Sequence, residues 1–377
     1  MLDPSSIPVS LYIHFPWCIR KCPYCDFNSH ESSGSLDETR YTEQLLVDLA
    51  ADSSWVNNRP IQTIFLGGGT PSLFSADAMA RLLTGVAQRV DVASDAEVTM
   101  EINPGSLEQA SQLSAYLKAG INRVSIGAQS FNARQLRHLG RIHGPADTVR
   151  VALAAKQAGF TRINLDLMHG LPDQTVEQAL QDLDDALALP ADHLSWYQLT
   201  IEPNTVFHNQ PPSLPDDDTI DAINNEGARV LSNAGFSAYE ISAWALPDQQ
   251  CHHNSNYWQF GDYIGIGAGA HGKLTGTDQV VRTTRTRQPG DYLRSPHRKM
   301  KPVVKSERML EFLICCLRLH AGFEASQFEA RTGLPSSQLD HFLARAEQLS
   351  LITRYQDRIV PTEQGMRFHN NLLALID

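Results

Sequence analysis

The sequence predicts a parallel α/β fold followed by a small helical, winged-helix-like unit. Three observations carry this expectation. Short β-rich runs alternate with longer helical patterns six times between residues 10 and 201, and consecutive parallel strands need a crossover helix between them. Polar residues recur at or near the ends of those runs: His14, Gly67 to Thr70, Glu101, Gln129 and Asp166. That is the face on which barrels and open α/β sheets both place their sites. Residues 306–377 read as a helix, two shorter helices, a hairpin and a last helix. The patterning leaves open whether the sheet is doubly wound or bends into a barrel.

In chain order, strands are expected at 10–15, 61–66, 97–103, 123–129, 162–168 and 193–201. A helix at 36–51 carries Leu45, Leu46 and Leu49 on one face. The second strand runs into Gly67-Gly68-Gly69-Thr70-Pro71, after which Ser75 caps a helix to about residue 90. Further helices are expected at 106–118, up to 158, and at 175–189. Residues 204–218 are rich in Pro and Asp and read as a loop, with a helix to 233 and a strand at 237–244 behind it. Residues 282–301 carry seven Lys and Arg against Asp291 alone and read as a connector. The expected domains are therefore 1–275, a basic linker at 276–305, and 306–377.

Composition narrows the function classes. With 42% hydrophobic and 19% charged residues the 377-residue chain is globular, which excludes disordered, collagenous and coiled-coil classes. No apolar run approaches the length of a membrane span, and the N-terminus lacks a signal-peptide pattern, so a cytoplasmic protein is expected. Net charge is 31 − 42 = −11, which repels phosphate backbones. Residues 301–377 hold nine basic and nine acidic residues, so the winged-helix-like shape comes without a DNA-binding charge pattern. No nucleic-acid partner is expected.

The cysteines carry the chemistry. Cys18, Cys22 and Cys25 fall in a C-x3-C-x2-C spacing just after the first strand. Structural zinc wants four closed ligands, which His14 or His30 would have to complete. An iron–sulfur cluster held by three thiolates leaves one iron open for chemistry. Cys315 and Cys316 read as buried apolar residues.

This spacing at the end of a first β/α strand, with the Gly67–Thr70 turn ending strand two, resembles the radical S-adenosylmethionine (SAM) superfamily. The resemblance implies a partial (β/α)6 TIM-like barrel and a [4Fe–4S] cluster on Cys18, Cys22 and Cys25. Tyr12-Ile13-His14-Phe15-Pro16, Glu101-Ile102-Asn103-Pro104, Gly127-Ala128-Gln129-Ser130-Phe131 and Asp166-Leu167-Met168-His169-Gly170-Leu171-Pro172 narrow it to the oxygen-independent coproporphyrinogen III oxidase family. Carried over, Tyr12 contacts the cluster and SAM region, and Gly68, Gly69 and Thr70 bind the methionyl part of SAM. Glu101, Gln129, Arg141 and Asp166 hold its polar groups and ribose.

Two departures point to the HemW-type haem-chaperone branch. The oxidase's fourth cysteine is replaced by Phe27, and the oxidase's N-terminal extension has no counterpart before the first strand, which starts near residue 10. His253, Asn254, Tyr257 and Trp258 supply that branch's H-N-x-x-Y-W pattern. Imidazole is a common haem ligand, and Tyr and Trp offer flat faces to a macrocycle. The resemblance thus implies haem as ligand, His253 as candidate haem residue and a haem-acceptor protein as partner. Loop pinning by His253, with haem near Cys251 or His252, is the structural alternative. The competing function is radical decarboxylation of coproporphyrinogen propionates. A tRNA-modifying enzyme is the third, and the charge balance disfavours it.

Overall fold

The computed structural model describes residues 2–32, 34–107 and 111–376. All six expected strands form: β1 Val9–Phe15, β2 Ile61–Gly68, β3 Val92–Ile102, β4 Arg123–Gln129, β5 Arg162–His169 and β6 His193–Gln198. The run at 237–244 splits into β7 Ser237–Glu240 and β8 Ala243–Ala245, which pair antiparallel. Four more strands follow: β9 Asp262–Ile266, β10 His271–Thr275, β11 Val280–Arg285 and β12 Arg298–Val303. Together they make one twelve-stranded sheet in the order β12-β11-β10-β9-β1-β2-β3-β4-β5-β6-β8-β7. The seven strands from β9 to β6 run parallel, and antiparallel strands extend both ends. No pairing joins β12 to β7 among the described residues, so the barrel is partial.

Alternation along each strand decides which residues meet helices and which meet the interior. On β1, Val9, Leu11 and Ile13 pack under α1, Glu38–Asp52, against Tyr41, Leu45 and Leu49. Ser10, Tyr12 and His14 point the other way. The registers carry this phase across the sheet: Ser10 pairs with Thr63, Thr63 with Glu97, Thr99 with Arg123, Ser125 with Asn164, and Asp166 with Ser195. The apolar core therefore lies between sheet and helices, and the barrel interior is polar. Side chains cap the helices, Ser75 as expected. Asp37 caps α1, Ser75 caps α2, Ala76–Ala87, and Thr175 with Gln178 forms a capping box on the Val176–Leu187 helix. Of the helix expected at 106–118, Ser111–Lys118 is helical, and 108–110 lie outside the described residues.

The basic linker expected at 276–305 is not a free connector. It supplies β11, the short helix Pro289–Arg294 and β12. Its charges are neutralised by residues far away in sequence. Arg285 Nε lies 2.7 Å from Asp48 Oδ1, its Nη2 pairs with Asp52, and Arg298 pairs with Asp52 as well. Arg282 binds Glu311 at 2.7 Å.

The C-terminal unit has its own core. Helices Lys305–Cys316, Ala325–Thr332 and Asp340–Gln348 pack Phe312, Leu313, Phe328, Phe342 and Leu343 over a three-stranded sheet of Phe323–Glu324, Arg358–Pro361 and Ile352–Tyr355. Phe260, which leads into β9, reaches into this core. Cys316 is buried as expected, but Cys315 is only half-buried. No helix among the described residues is long and apolar enough to cross a membrane.

Candidate functional site

The C-terminal ends of β1 to β6 enclose a chamber of about 370 Å³. Cys18, Cys22 and Cys25 enter it from the loop after β1. Trp17–Cys18 pairs in parallel with His30–Glu31, and Lys21 Nζ donates to the Phe27 carbonyl at 3.0 Å, so the loop is tied back on itself. The glycine turn after β2 is fastened to the same loop. Gly69 N donates to Phe15 O at 2.6 Å and Thr70 N to Trp17 O at 2.7 Å. A Cβ on Gly69 would collide with the Trp17 carbonyl. Gly68, at φ +110°, would strike the His14 ring.

Glu101, Gln129 and Asp166 enter from β3, β4 and β5. Gln129 holds φ +66°, a strained conformation at the strand end, and accepts from Tyr197 Oη at 2.8 Å. Arg141 Nη2 donates to Gly127 O at 2.9 Å, and its Nη1 lies 3.7 Å from Cys22 Sγ. The structure thus brings the three cysteines together with Gly68, Gly69, Thr70, Glu101, Gln129, Arg141 and Asp166. Sequence reasoning missed Ser125 and Tyr197, which also line the chamber. The inward phase of β4 and β6 was the available signal.

Tyr12 departs from expectation. It does not line the chamber. Its hydroxyl meets His14 Nδ1 at 2.7 Å, and the His14 ring, packed over Gly68, stands between it and the cysteine loop. His14 Nε2 meets Asn28 O at 2.9 Å, so both ring nitrogens are occupied and His14 does not complete a zinc site.

The chamber is short of positive charge around its carboxyls. Burial first, and then Asp166, push Glu101 up to about 8, against the pull of the Gly68 N–H at 2.9 Å. Burial also raises Asp166, opposed by hydrogen bonds from Ser195, Ser125 and Asn164. A ligand carrying ammonium and sulfonium charge relieves this cost, and Arg141, whose Nε is buried without a partner, suits a carboxylate. Burial likewise pushes Cys18 up to about 11 and raises Cys25. These thiols become thiolates readily only against a metal centre. Donor set and cradle together fit a cluster held by three thiolates with SAM beside it.

A second cleft of about 580 Å³ opens on the side of the barrel, between β1, the strands β9 to β11 and the helix His252–Trp258. Tyr12, Tyr257, Trp258 and Tyr263 give it aromatic walls, and His271, Arg282, Arg287 and Cys315 also face it. Asp26 and Phe27 line both cavities. Of the glycines at 265–272, only Gly269 lines the cleft. Gly265 and Gly272 instead let β9 and β10 approach each other.

His253, the candidate haem residue, lines neither cavity, though its ring centroid lies 5.9 Å from that of Tyr257 in the cleft wall. It sits in the first turn of the His252–Trp258 helix and turns into the barrel interior. Its Nδ1 lies 2.8 Å from Cys251 Sγ and 3.4 Å from Glu97 Oε1, and its ring centre is 4.0 Å from that of Phe65. Burial keeps the imidazole neutral. Burial works against the Glu97 charge, but the His253 hydrogen bond and the Arg123 guanidinium override it and hold the carboxyl well below its ordinary range. His253 and Tyr257, four residues apart, share a helix face, with ring centroids 5.9 Å apart; His253 packs on Phe65, Cys251 and Glu97, while Tyr257 and Trp258 reach the cleft.

Fold and chamber together define a radical SAM protein with a HemN-type C-terminal domain. Residues 12–186 match the Radical SAM superfamily and residues 304–368 the HemN C-terminal domain. The chain shares its fold with the solved structure of coproporphyrinogen III oxidase (HemN) from Escherichia coli. The TM-score is 0.82 at 22% identity, over 98% of this chain and 90% of that one. It is 49% identical over 370 residues to the heme chaperone HemW of Escherichia coli K12, covering 98% of both chains. It is 46% identical to the heme chaperone HemW of Haemophilus influenzae, over 99% of this chain and 98% of that one. A mouse protein, the mitochondrial radical S-adenosyl methionine domain-containing protein 1, is 36% identical over all of this chain and 87% of its own. The chain belongs to the HemW family.

Proposed function

We propose that this protein is a haem chaperone. It binds haem, carries a [4Fe–4S] cluster on Cys18, Cys22 and Cys25, binds SAM in the adjoining chamber, and passes haem to an acceptor protein. The observation that carries the reading is the near full-length identity to proteins named heme chaperone, which takes in both the chamber and the cleft. The cluster, when bound, supplies one-electron chemistry and an open iron. The chain's own residues do the rest. Glu101 and Asp166 offset the positive charges of SAM, Arg141 faces its carboxylate, and the Gly68–Gly69 backbone admits its methionyl end. Tyr197 holds the Gln129 amide in place.

The likeness to coproporphyrinogen III oxidase shows fold alone at 22% identity, and the position of that enzyme's fourth cysteine is taken by Phe27, which is 56% exposed. The test is anaerobic incubation of reconstituted protein with SAM, a reductant and either coproporphyrinogen III or haem. Stoichiometric haem uptake and release to an apo-haemoprotein are expected. Decarboxylated porphyrinogen with release of CO₂ would overturn the reading in favour of the oxidase.

A further inference from the structure

We propose that the side cleft is the haem seat, with His271 as axial ligand to the iron and Arg287 as partner of a propionate; this rests on the haem-chaperone reading above. A haem seat built on histidine combines flat apolar walls, an imidazole with a free nitrogen and a cation at the rim. The cleft has all three. Its volume of about 580 Å³ falls within the range of small-molecule sites. Tyr257 and Tyr263 meet edge to face with ring centroids 4.8 Å apart, and Trp258 continues the wall.

Two histidines line the cleft, and they differ. His14 has both ring nitrogens in hydrogen bonds. The His271 ring is exposed and has no hydrogen-bond partner among the described residues. Partial desolvation of the ring against the cleft, and then the Arg287 and Arg282 charges, disfavour its protonated form, which leaves the neutral imidazole that ligates metals. The cations differ in the same way. Lys273 Nζ is committed to Asp262, Thr275 and the Phe260 carbonyl. Arg282 is committed to Glu311 and Tyr263. Arg287 is exposed, and its guanidinium makes a single 3.4 Å contact, to Asn28 Oδ1. Cys315 also faces the cleft, but burial holds it as a thiol, which makes it the weaker ligand. Because Asp26 and Phe27 border both cavities, a haem here lies against the cluster loop without entering the SAM chamber.

The experiment titrates reconstituted wild type, His271→Ala, Arg287→Glu and His253→Ala with haemin and, separately, with iron-free protoporphyrin IX. Cluster absorbance and SAM affinity serve as folding controls. His271→Ala should shift the Soret band and weaken haemin by at least about tenfold while leaving protoporphyrin affinity within about twofold, and free imidazole should restore the band. Arg287→Glu should weaken both ligands by about tenfold, and His253→Ala should keep the wild-type band. A wild-type Soret band and affinity in His271→Ala would overturn the axial assignment. Unchanged binding of both ligands in Arg287→Glu as well would overturn the seat. Wild type that takes up no haemin would instead defeat the haem-chaperone reading itself.

Discussion

The chamber and the cleft share a wall at Asp26 and Phe27, yet they are chemical opposites. The chamber gathers Glu101 and Asp166 at strand ends, with three thiols, Arg20 and Lys21 on the cysteine loop and Arg141 beside it. The cleft gathers aromatic rings and arginines on the side of the barrel, from β1 and the cysteine loop and from strands and helices that come after residue 250. One suits a ligand with ammonium and sulfonium charges, the other a flat dianion. On the proposed seats, the difference teaches how one open barrel keeps two ligands apart. The strand ends belong to one, and the lateral strands that leave the barrel unclosed belong to the other.

The hardest break is at the cysteines. Replacing Cys18, Cys22 and Cys25 by Ser should remove all cluster iron and sulfide, measured by metal and sulfide analysis. Haemin affinity should stay within about twofold if the cleft is a separate site. Loss of haemin binding together with the iron would collapse the two sites into one.

Next in size is Arg285→Ala. Arg285 is fully buried between Asp48 and Asp52 and pins β11, part of the cleft side, to α1. Its removal leaves Asp48 without its cation and Asp52 with Arg298 alone, and should cost about 3–5 kcal/mol, read from the urea midpoint. An unchanged midpoint would mean that the cleft side is held by other contacts.

Glu101→Gln sharpens the charge contrast. SAM binding should weaken by about 1–3 kcal/mol in calorimetry. The fold should respond with the opposite sign. A carboxyl raised from 4.5 to about 8 gives stability that is fully present below pH 4.5 and is lost as pH rises toward 8. The variant, without this loss, should be the more stable form at pH 8 and match wild type near pH 4. A wild type whose thermal midpoint does not fall relative to the variant across that window would contradict the Glu101 assignment.

The smallest effect is expected from His253→Ala. It removes a buried ring from Phe65 and a partner from Glu97, at about 1–3 kcal/mol of stability by thermal melt. SAM affinity should be unchanged. A large loss of haemin affinity at constant stability would return His253 to the haem site.

The chamber was legible in the sequence because its residues stand in short contiguous stretches at strand ends, where fold and site coincide. Tyr12 misled because strand alternation gives inwardness but not which side of the His14 ring a residue occupies. His253 misled for a similar reason. The octet around it is helical, so His253 and Tyr257 share one face and touch, yet only Tyr257 lines the cleft, while His253 packs on Phe65 and Cys251. The connector misled because its arginines looked unpaired, while Asp48, Asp52 and Glu311 lie far away in sequence. The cleft itself was illegible. Its lining runs from Tyr12 to Cys315 and shows no spacing that a single sequence reveals.

The most direct test of two separate sites is haemin titration of cluster-loaded protein with and without saturating SAM, with bound SAM counted by equilibrium dialysis. One haem and one SAM should bind per chain at once, with haemin affinity changed by less than about twofold, a coupling well under 1 kcal/mol. Displacement of SAM by haemin, at any stoichiometry, would contradict two separate sites.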